Sequence, residues 1–371
     1  MRVRRLGVMM VLKGKYNEAV IFTDQVADNA KEQIIRLLDN KAFEGAKIRI
    51  MPDVHFGVGC VIGFTMNVTD KVVPNLVGVD IGCGVYTVEL KDERIDFASM
   101  DQVIYEVIPH GFKVHKSVDE RRRKLGREIG IEDVSVSVDK DRAYRSIGTL
   151  GGGNHFIEVG KGDTGKHYLF IHSGSRHFGL QIAKAHQKIA QKKYPEQKDL
   201  AYLSGEDKTR YLKDMQIAQH YAKVNREEMA KVLIDKLHLK VNCTFDTVHN
   251  YISEDDWILR KGAVSAHKDE MLVIPLNMRD GVLIAKGKGN QEWNYTAPHG
   301  AGRLYGRKEA KKRFSMQRFE DAMRDVYSSS VRESTLDESP FAYKDADSVL
   351  RYIDDTVCII DAVKPVYNFK A

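Results

Sequence analysis

Strand-like and helical stretches come in blocks along this chain, not in alternation, which sets aside doubly wound architectures from the start. Residues 27–39 (ADNAKEQIIRLLD) carry apolar residues at helical spacing. AKIRIM, VGCVIGFTMNV and VYTVEL then read as strands, and HFIEVG and HYLFIHS follow on either side of the turn-forming GKGDTGK. A helical pattern runs from Phe178 to about Leu239 with one break near LSGED. VNCTFDTVHNYI and MLVIPLNMRDGVLIAKGK return to strands, residues 308–328 read as helix, and TVCIIDAVKPVYNF reads as strand. The order predicts an α+β fold of mixed sheets with flanking helices. No internal repeat and no Pro/Gly/Ser-rich linker divides residues 1–371, so they read as a single domain.

The composition is that of a globular protein, with 43% hydrophobic and 30% charged residues, which excludes fibrous, disordered and disulfide-scaffold classes. No apolar run approaches the roughly 20 residues of a membrane helix. The N-terminal apolar stretch is interrupted by Lys13, too early for a secretory signal. Cys60, Cys83, Cys243 and Cys358 form no CxxC pair, so reduced thiols and a cytoplasmic location are expected. A net charge of +6 permits an acidic partner such as nucleic acid without requiring one. The densest basic run, Arg121–Lys124, lies among acids in a helical pattern and reads as a solvated face.

His, Cys, Asp, Asn and Gly concentrate where strand-like runs end in glycine-rich turns. Such turns let backbone approach a ligand and hold polar side chains at a rigid edge. Asp53 and His55 lie in PDVHFG, and Asp80 and Cys83 in VDIGCG. An Asp and a Cys three apart suit a borderline transition metal better than calcium; alone, the pair is equally a capped turn with a buried thiol. In GGGNHFIE the period of two puts Asn154, Phe156 and Glu158 on one side and His155 on the other, so His155 can serve a metal while its neighbours line a pocket. HSGSRH offers His172 with the phosphate-compatible Arg176, and VHN offers His249. Each histidine by itself is more often structural than ligating, but with Asp80 and Cys83 they make five donors. His299 stands in APHGAGR among small residues, open to a bulky electrophile, with Arg303 at hand for phosphate. The chain has no Walker A loop, no HExxH and no GxSxG.

Taken in order, PDVHFGVG, VGVDIGCG, GTLGGGNHFIEV, HSGSR, VHN, RKGA, HGAGR and a lysine near the end resemble the RtcB family. That family comprises GTP- and manganese-dependent RNA ligases that join RNA 3′-phosphate or 2′,3′-cyclic phosphate ends to 5′-hydroxyl ends. The resemblance covers about residue 50 onward and implies the family's own α+β fold, with one catalytic domain over residues 1–371. It implies that Asp80, Cys83, His155, His172 and His249 ligate two Mn²⁺, with Zn²⁺ able to substitute, and that His299 becomes guanylylated. It assigns Asn154, Phe156, Glu158 and Lys370, with Gly300, Ala301 and Gly302 beside His299, to the nucleotide. Arg176, Lys261 and Arg303 correspond to basic residues near phosphates, and Asp53 and His55 to the rim of the site where RNA is held. A role in RNA repair or tRNA splicing is implied as well, and the need for an archease-type activator is left open. The chain departs from the family at Ile274–Gly281 (IPLNMRDG), where other members carry a serine- and glycine-rich segment that holds the nucleotide, and reads as a compact bacterial-type member. A GTP-dependent end-capping or cyclic-phosphodiesterase activity without efficient sealing is the alternative, and a non-catalytic RNA-binding protein is a third reading.

Overall fold

The structure is a computed structural model that describes residues 3–6, 9–91 and 94–371. Among these, two seven-stranded sheets and a two-stranded ribbon carry the fold. The first sheet runs in the order Val3–Leu6, Met9–Lys13, Glu18–Ile21, Ile48–His55, Ile62–Asn67, Ile258–Lys261 and Asn250–Ile252. Its neighbours are antiparallel except Glu18–Ile21 and Ile48–His55, which pair in parallel. The helix Asp28–Leu38 bridges that pair and buries Ala30, Ile34, Leu37 and Leu38. A parallel pair needs such a crossover, so one βαβ unit opens a chain that otherwise lacks alternation. The sequence reading did not resolve the short strands before residue 27.

The second sheet is antiparallel throughout, in the order Met271–Asn277, Gly281–Gly287, Val357–Lys370, Phe156–Gly162, His167–Ser173, Gly84–Leu90 and Val241–Val248. Alternation along its strands sends side chains to two buried faces. Val88, Ile157, Val159, Leu169 and Ile171 meet Met100 and Ile104 of the helix Phe97–Val107 and Met229 and Leu233 of the helix Gly205–Leu237. Val85, Phe156 and Phe170 meet Val273, Val282, Ile284 and Val363 on the other face. The edge strands Met271–Asn277 and Val241–Val248 touch, so the sheet curls around this second cluster. The α+β expectation holds.

The helical stretch after Phe178 resolves into Arg176–Lys193 and Gly205–Leu237, interrupted around LSGED as the sequence predicts. Within 308–328 two short helices form, Arg307–Arg313 and Met316–Ala322, because Phe314 is extended and Ser315 caps the second by accepting from Arg318 N; residues 323–328, expected as helix, are turn and bridge. The basic run sits on the helix Glu120–Ile129, with Arg121 on Glu228 at 2.7 Å and Lys124 near Glu128. Among the described residues no helix is long and apolar enough to cross a membrane, and the four cysteines are free.

Candidate active site

Four neighbouring strands of the second sheet deliver the donors to one sheet end. Register pairs Phe156 with His172, Gly84 with Ser173, and Gly84 with Val248. His155 precedes Phe156, Cys83 precedes Gly84 and His249 follows Val248, so antiparallel pairing stacks these residues at the same edge. Glycine makes the approach possible. A Cβ at Gly84 would come within 2.3 Å of Thr247 O, and one at Gly174 within 2.2 Å of Asp80 Oδ1. Arg226, fully buried on the helix Gly205–Leu237, ties the two ends together by donating to Gly82 O and Ser173 O at 2.8 Å each.

Cys83 Sγ lies 3.3 Å from His172 Nε2 and 3.5 Å from His155 Nε2, and His155 Nε2 lies 3.0 Å from Asp80 Oδ2. Ligand atoms of Cys83, His172 and His249 fall within 4.8 Å of one another, as do those of Asp80, Cys83 and His155. The two sets share Cys83, whose thiol is pushed well up in pKa by burial and by the Asp80 charge. Other observations fit a metal. His155 Nδ1 and His172 Nδ1 are directed at the carbonyls of Leu150 and Asn154, at 2.9 and 3.1 Å, leaving each Nε2 for the cluster. Burial holds His172 and His249 well below their ordinary pKa, so they are neutral and able to ligate. Burial raises Asp80, but its hydrogen bond to His155 and the Arg176 charge outweigh that and hold it down to about 2. Asp80 Oδ1 is buried without a partner.

His299 follows the short strand Thr296–Pro298, which pairs with Ala263–Ser265 so that Ala263 lies opposite Pro298. Ala263 N in turn donates to His249 O at 3.2 Å, which places the His299 ring 4.9 Å from that of His249. Its Nδ1 lies 2.6 Å from Oδ2 of Asp53, which also accepts from His299 N at 3.2 Å. Asp53 is fully buried, and its carboxylate makes Nδ1 the protonated nitrogen and Nε2 the one with a lone pair. The rim position expected for Asp53 is therefore replaced by one beneath His299. His55 Nδ1 lies 2.9 Å from Asp53 O, and burial pushes the imidazole down to about 4, so His55 meets the cavity uncharged.

A cavity of about 290 Å³ joins these parts. It is lined by Asp80, Cys83, His172, His249 and His299, by Asn154, Phe156, Glu158 and Lys370, and by Gly300, Ala301 and Gly302. Register sets Lys370 opposite Phe156 and Asn368 opposite Glu158. The period-two reading of GGGNHFIE agrees with this placement, since His155 turns to Asp80 and Cys83 while its neighbours face the cavity. Burial raises Glu158 to about 8; Asn368 donates to its Oε2 at 2.7 Å, and Oε1 has no partner. Pro275, Leu276 and Met278 make an apolar wall where the departing segment lies, and Asn277 spends its carbonyl on its own turn.

Glu338 organises the cations around Lys370. It accepts from Lys370 at 2.7 Å, Arg303 at 3.0 Å and Arg307 at 2.5 Å. Burial alone would raise it, yet the charges of Lys370, Arg307 and Arg303 hold it at about 2. Arg303 lines the cavity, whereas two other expected phosphate contacts lie outside the lining. Lys261 Nζ is buried and donates to the carbonyls of Val58, Cys60 and Asn75, where it ties loops together. Arg176 sits behind the metal donors, with Nη1 3.2 Å from His155 Nδ1 and its guanidinium over Gly151. The sequence reading missed Arg226, Glu338 and Lys344, whose Nζ donates to Pro52 O and Val54 O on either side of Asp53. A larger, open depression of about 760 Å³ between Arg36 and Tyr202 lies apart from these donors.

A cavity that joins a metal-capable donor cluster to a half-buried histidine held by a buried aspartate is the architecture of an enzyme site. The family model described as tRNA-splicing ligase RtcB matches residues 40–135 and 120–371. The RNA-splicing ligase RtcB of Escherichia coli K12 is 31% identical, over 93% of this chain and 95% of its own. The RNA-splicing ligase RtcB2 of another E. coli strain is 27% identical over 86% of each chain, and the tRNA-splicing ligase RtcB of Aeropyrum pernix is 30% identical over 81% of this chain and 82% of its own. The chain belongs to the RtcB family.

Proposed function

We propose that this protein is an RNA ligase that joins 3′-phosphate or 2′,3′-cyclic phosphate ends to 5′-hydroxyl ends, using GTP, in RNA repair or tRNA splicing. The observation that carries the reading is the orientation of His299: Asp53 holds Nδ1, so Nε2 is the free nucleophile beside the metal donors. His299 Nε2 attacks the α-phosphorus of GTP and pyrophosphate leaves. GMP passes from His299 to the RNA 3′-phosphate, and the 5′-hydroxyl then displaces GMP as the new phosphodiester forms. A cyclic phosphate is first opened by water to the 3′-phosphate. Asp53 keeps the proton on Nδ1 of His299 and offsets the positive charge that develops on the ring during attack. Lys370 and Arg303, gathered by Glu338, face the phosphates. Glu158 and Asn154 offer hydrogen-bond partners to the base and Phe156 a flat surface. Asp80, Cys83, His155, His172 and His249 would hold two Mn²⁺, which would supply Lewis-acid polarisation of phosphoryl oxygens; Zn²⁺ suits the same donors.

Site residues drawn from Asp53 to Lys370 support one catalytic domain over residues 1–371, and free cysteines support a cytoplasmic location. The apolar wall at Pro275–Met278 supports the second reading, in which guanylylated 3′ ends form without efficient sealing. Incubation with Mn²⁺ and α-labelled GTP, then with RNA ends of each kind and with or without an archease-type activator, separates the two. His299→Ala should keep metal and fold, lose the GMP adduct, and still seal RNA already carrying a 3′-guanylate cap. An adduct in that variant refutes the reading.

A further inference from the structure

The residue that the site leaves unexplained is Phe112, whose side chain is 96% exposed. It sits in the loop Pro109–Lys116 (PHGFKVHK), which carries two lysines, two histidines and no acid. This loop is pinned to the glycine-rich turn that leads into Asn154. Gly111 N donates to Gly151 O at 2.8 Å, Leu150 N donates to Pro109 O at 3.0 Å, and a Cβ at Gly152 would lie 3.6 Å from Gly111 Cα. Gly151 stands three residues before Asn154, which lines the cavity, so the loop lies within about 10 Å of chain from its mouth. Cations lie on and against this loop. Arg142 Nη2 donates to Phe112 O at 3.4 Å, its Nε is buried without a partner, and the charges of Lys113 and Arg332 both reach His110. The nearby acids Asp119 and Asp141 are engaged by Arg122 and Arg145.

We propose that Phe112 is a stacking platform for an unpaired base of the RNA strand that enters the cavity, with Lys113 and Arg142 on the adjoining phosphates. An exposed ring beside cations is the arrangement that single-strand binders use, since every base has a face to stack and every nucleotide a phosphate to neutralise. The charge complementarity commits the surface to nucleic acid. The proposal rests on the ligase reading for the identity of the strand, and its test is kept independent of that reading.

The test measures binding of a single-stranded 3′-phosphate RNA to the full chain at fixed salt, for the wild type, Phe112→Ala and Phe112→Trp. Loss of one stacked base should weaken binding roughly 5- to 100-fold in Phe112→Ala, and Phe112→Trp should restore it. RNAs with a single abasic site placed at each position in turn locate the partner: one position should cost affinity in the wild type and nothing further in Phe112→Ala. Lys113→Gln should lower the salt slope by about one. GMP-adduct formation without RNA should be unchanged in Phe112→Ala, and its absence from the wild type would count against the ligase reading alone. Equal RNA affinity of wild type and Phe112→Ala overturns the platform. So does a wild-type dimer that becomes monomeric in Phe112→Ala, because the ring would then serve a second copy of the chain.

Discussion

Replacing Asp53 with Asn tests the pair on which the proposed chemistry turns. The carboxylate accepts two hydrogen bonds from His299, at 2.6 Å from Nδ1 and 3.2 Å from the backbone nitrogen. An amide has nearly the same shape but loses the charge. A charge-assisted bond contributes about 1.5–3 kcal/mol and a neutral one about 1, so orientation alone costs roughly 2- to 30-fold. The ring also gains positive charge as Nε2 attacks phosphorus. A unit charge about 4 Å away contributes about 4 kcal/mol at an effective dielectric of 20, and the variant forfeits most of that. If the amide nitrogen turns toward Nδ1, the ring takes the other tautomer and Nε2 carries the hydrogen. The same exchange in serine hydrolase triads costs about 10⁴-fold. Adduct formation from α-labelled GTP, followed in a single turnover without RNA, should therefore slow by roughly 10²- to 10⁴-fold while metal content is unchanged.

Lys344 supplies the control. Its buried ammonium bonds two carbonyls flanking Asp53 and feels that carboxylate's charge. Asp53→Asn leaves the ammonium without it, so some stability is lost by that route. Asp53→Asn with Lys344→Met separates the two effects: melting temperature should recover in part and the adduct rate should not. An Asp53→Asn protein that guanylylates within about threefold of the wild-type rate would refute the role given to the carboxylate.

Cys83→Ala removes the donor common to both metal sets, so bound metal, measured by elemental analysis, should fall sharply while the melting temperature of metal-free protein changes little. Burial raises Glu158 from 4.5 to about 8, so the folded state holds a proton that the unfolded chain releases, and stability falls as pH rises between those values. Glu158→Gln lacks that loss: its melting temperature should gain on the wild type from pH 5 to pH 8.5, while GTP affinity drops; parallel melting curves would count against it. Glu338 is the opposite case. Its pKa is lowered from 4.5 to about 2, so its contribution is present above pH 4.5 and disappears as pH falls toward 2. Glu338→Gln should cost about 3–5 kcal/mol at neutral pH by leaving buried cations unpaired, measured by denaturant unfolding, with the difference shrinking in acid.

The donor cluster was legible because Cys83, His155, His172 and His249 stand at or next to strand ends, and strand alternation is a local property. The α+β order was legible for the same reason. What joins distant segments was not. Asp53 and His299 are 246 residues apart, and nothing near either one names the other. Lys261 shows the converse failure. Its motif reads as a phosphate contact, but all four residues of the strand Ile258–Lys261 are buried, and the ammonium is used up on three carbonyls before any phosphate could reach it. A basic residue at the end of a strand carries no mark that tells an anion site from a loop tie.

The least legible segment does the most to position the site. Residues 333–342 form two short 3₁₀ turns, Glu333–Glu338 and Pro340–Ala342, which lack the length for helical periodicity. At the end of the first turn Glu338 meets Lys370, Arg303 and Arg307. Six residues later Lys344 grips the carbonyls of Pro52 and Val54. The same stretch therefore sets the phosphate-side cations and the backbone that carries the acceptor of His299. Tyr343 links the two ends, since its hydroxyl donates to Glu338 at 2.5 Å. A displacement of this segment would move the nucleophile's support and the phosphate contacts together. Substitutions along it should then change nucleotide affinity and guanylylation rate in concert, whereas those at His299 change the rate alone.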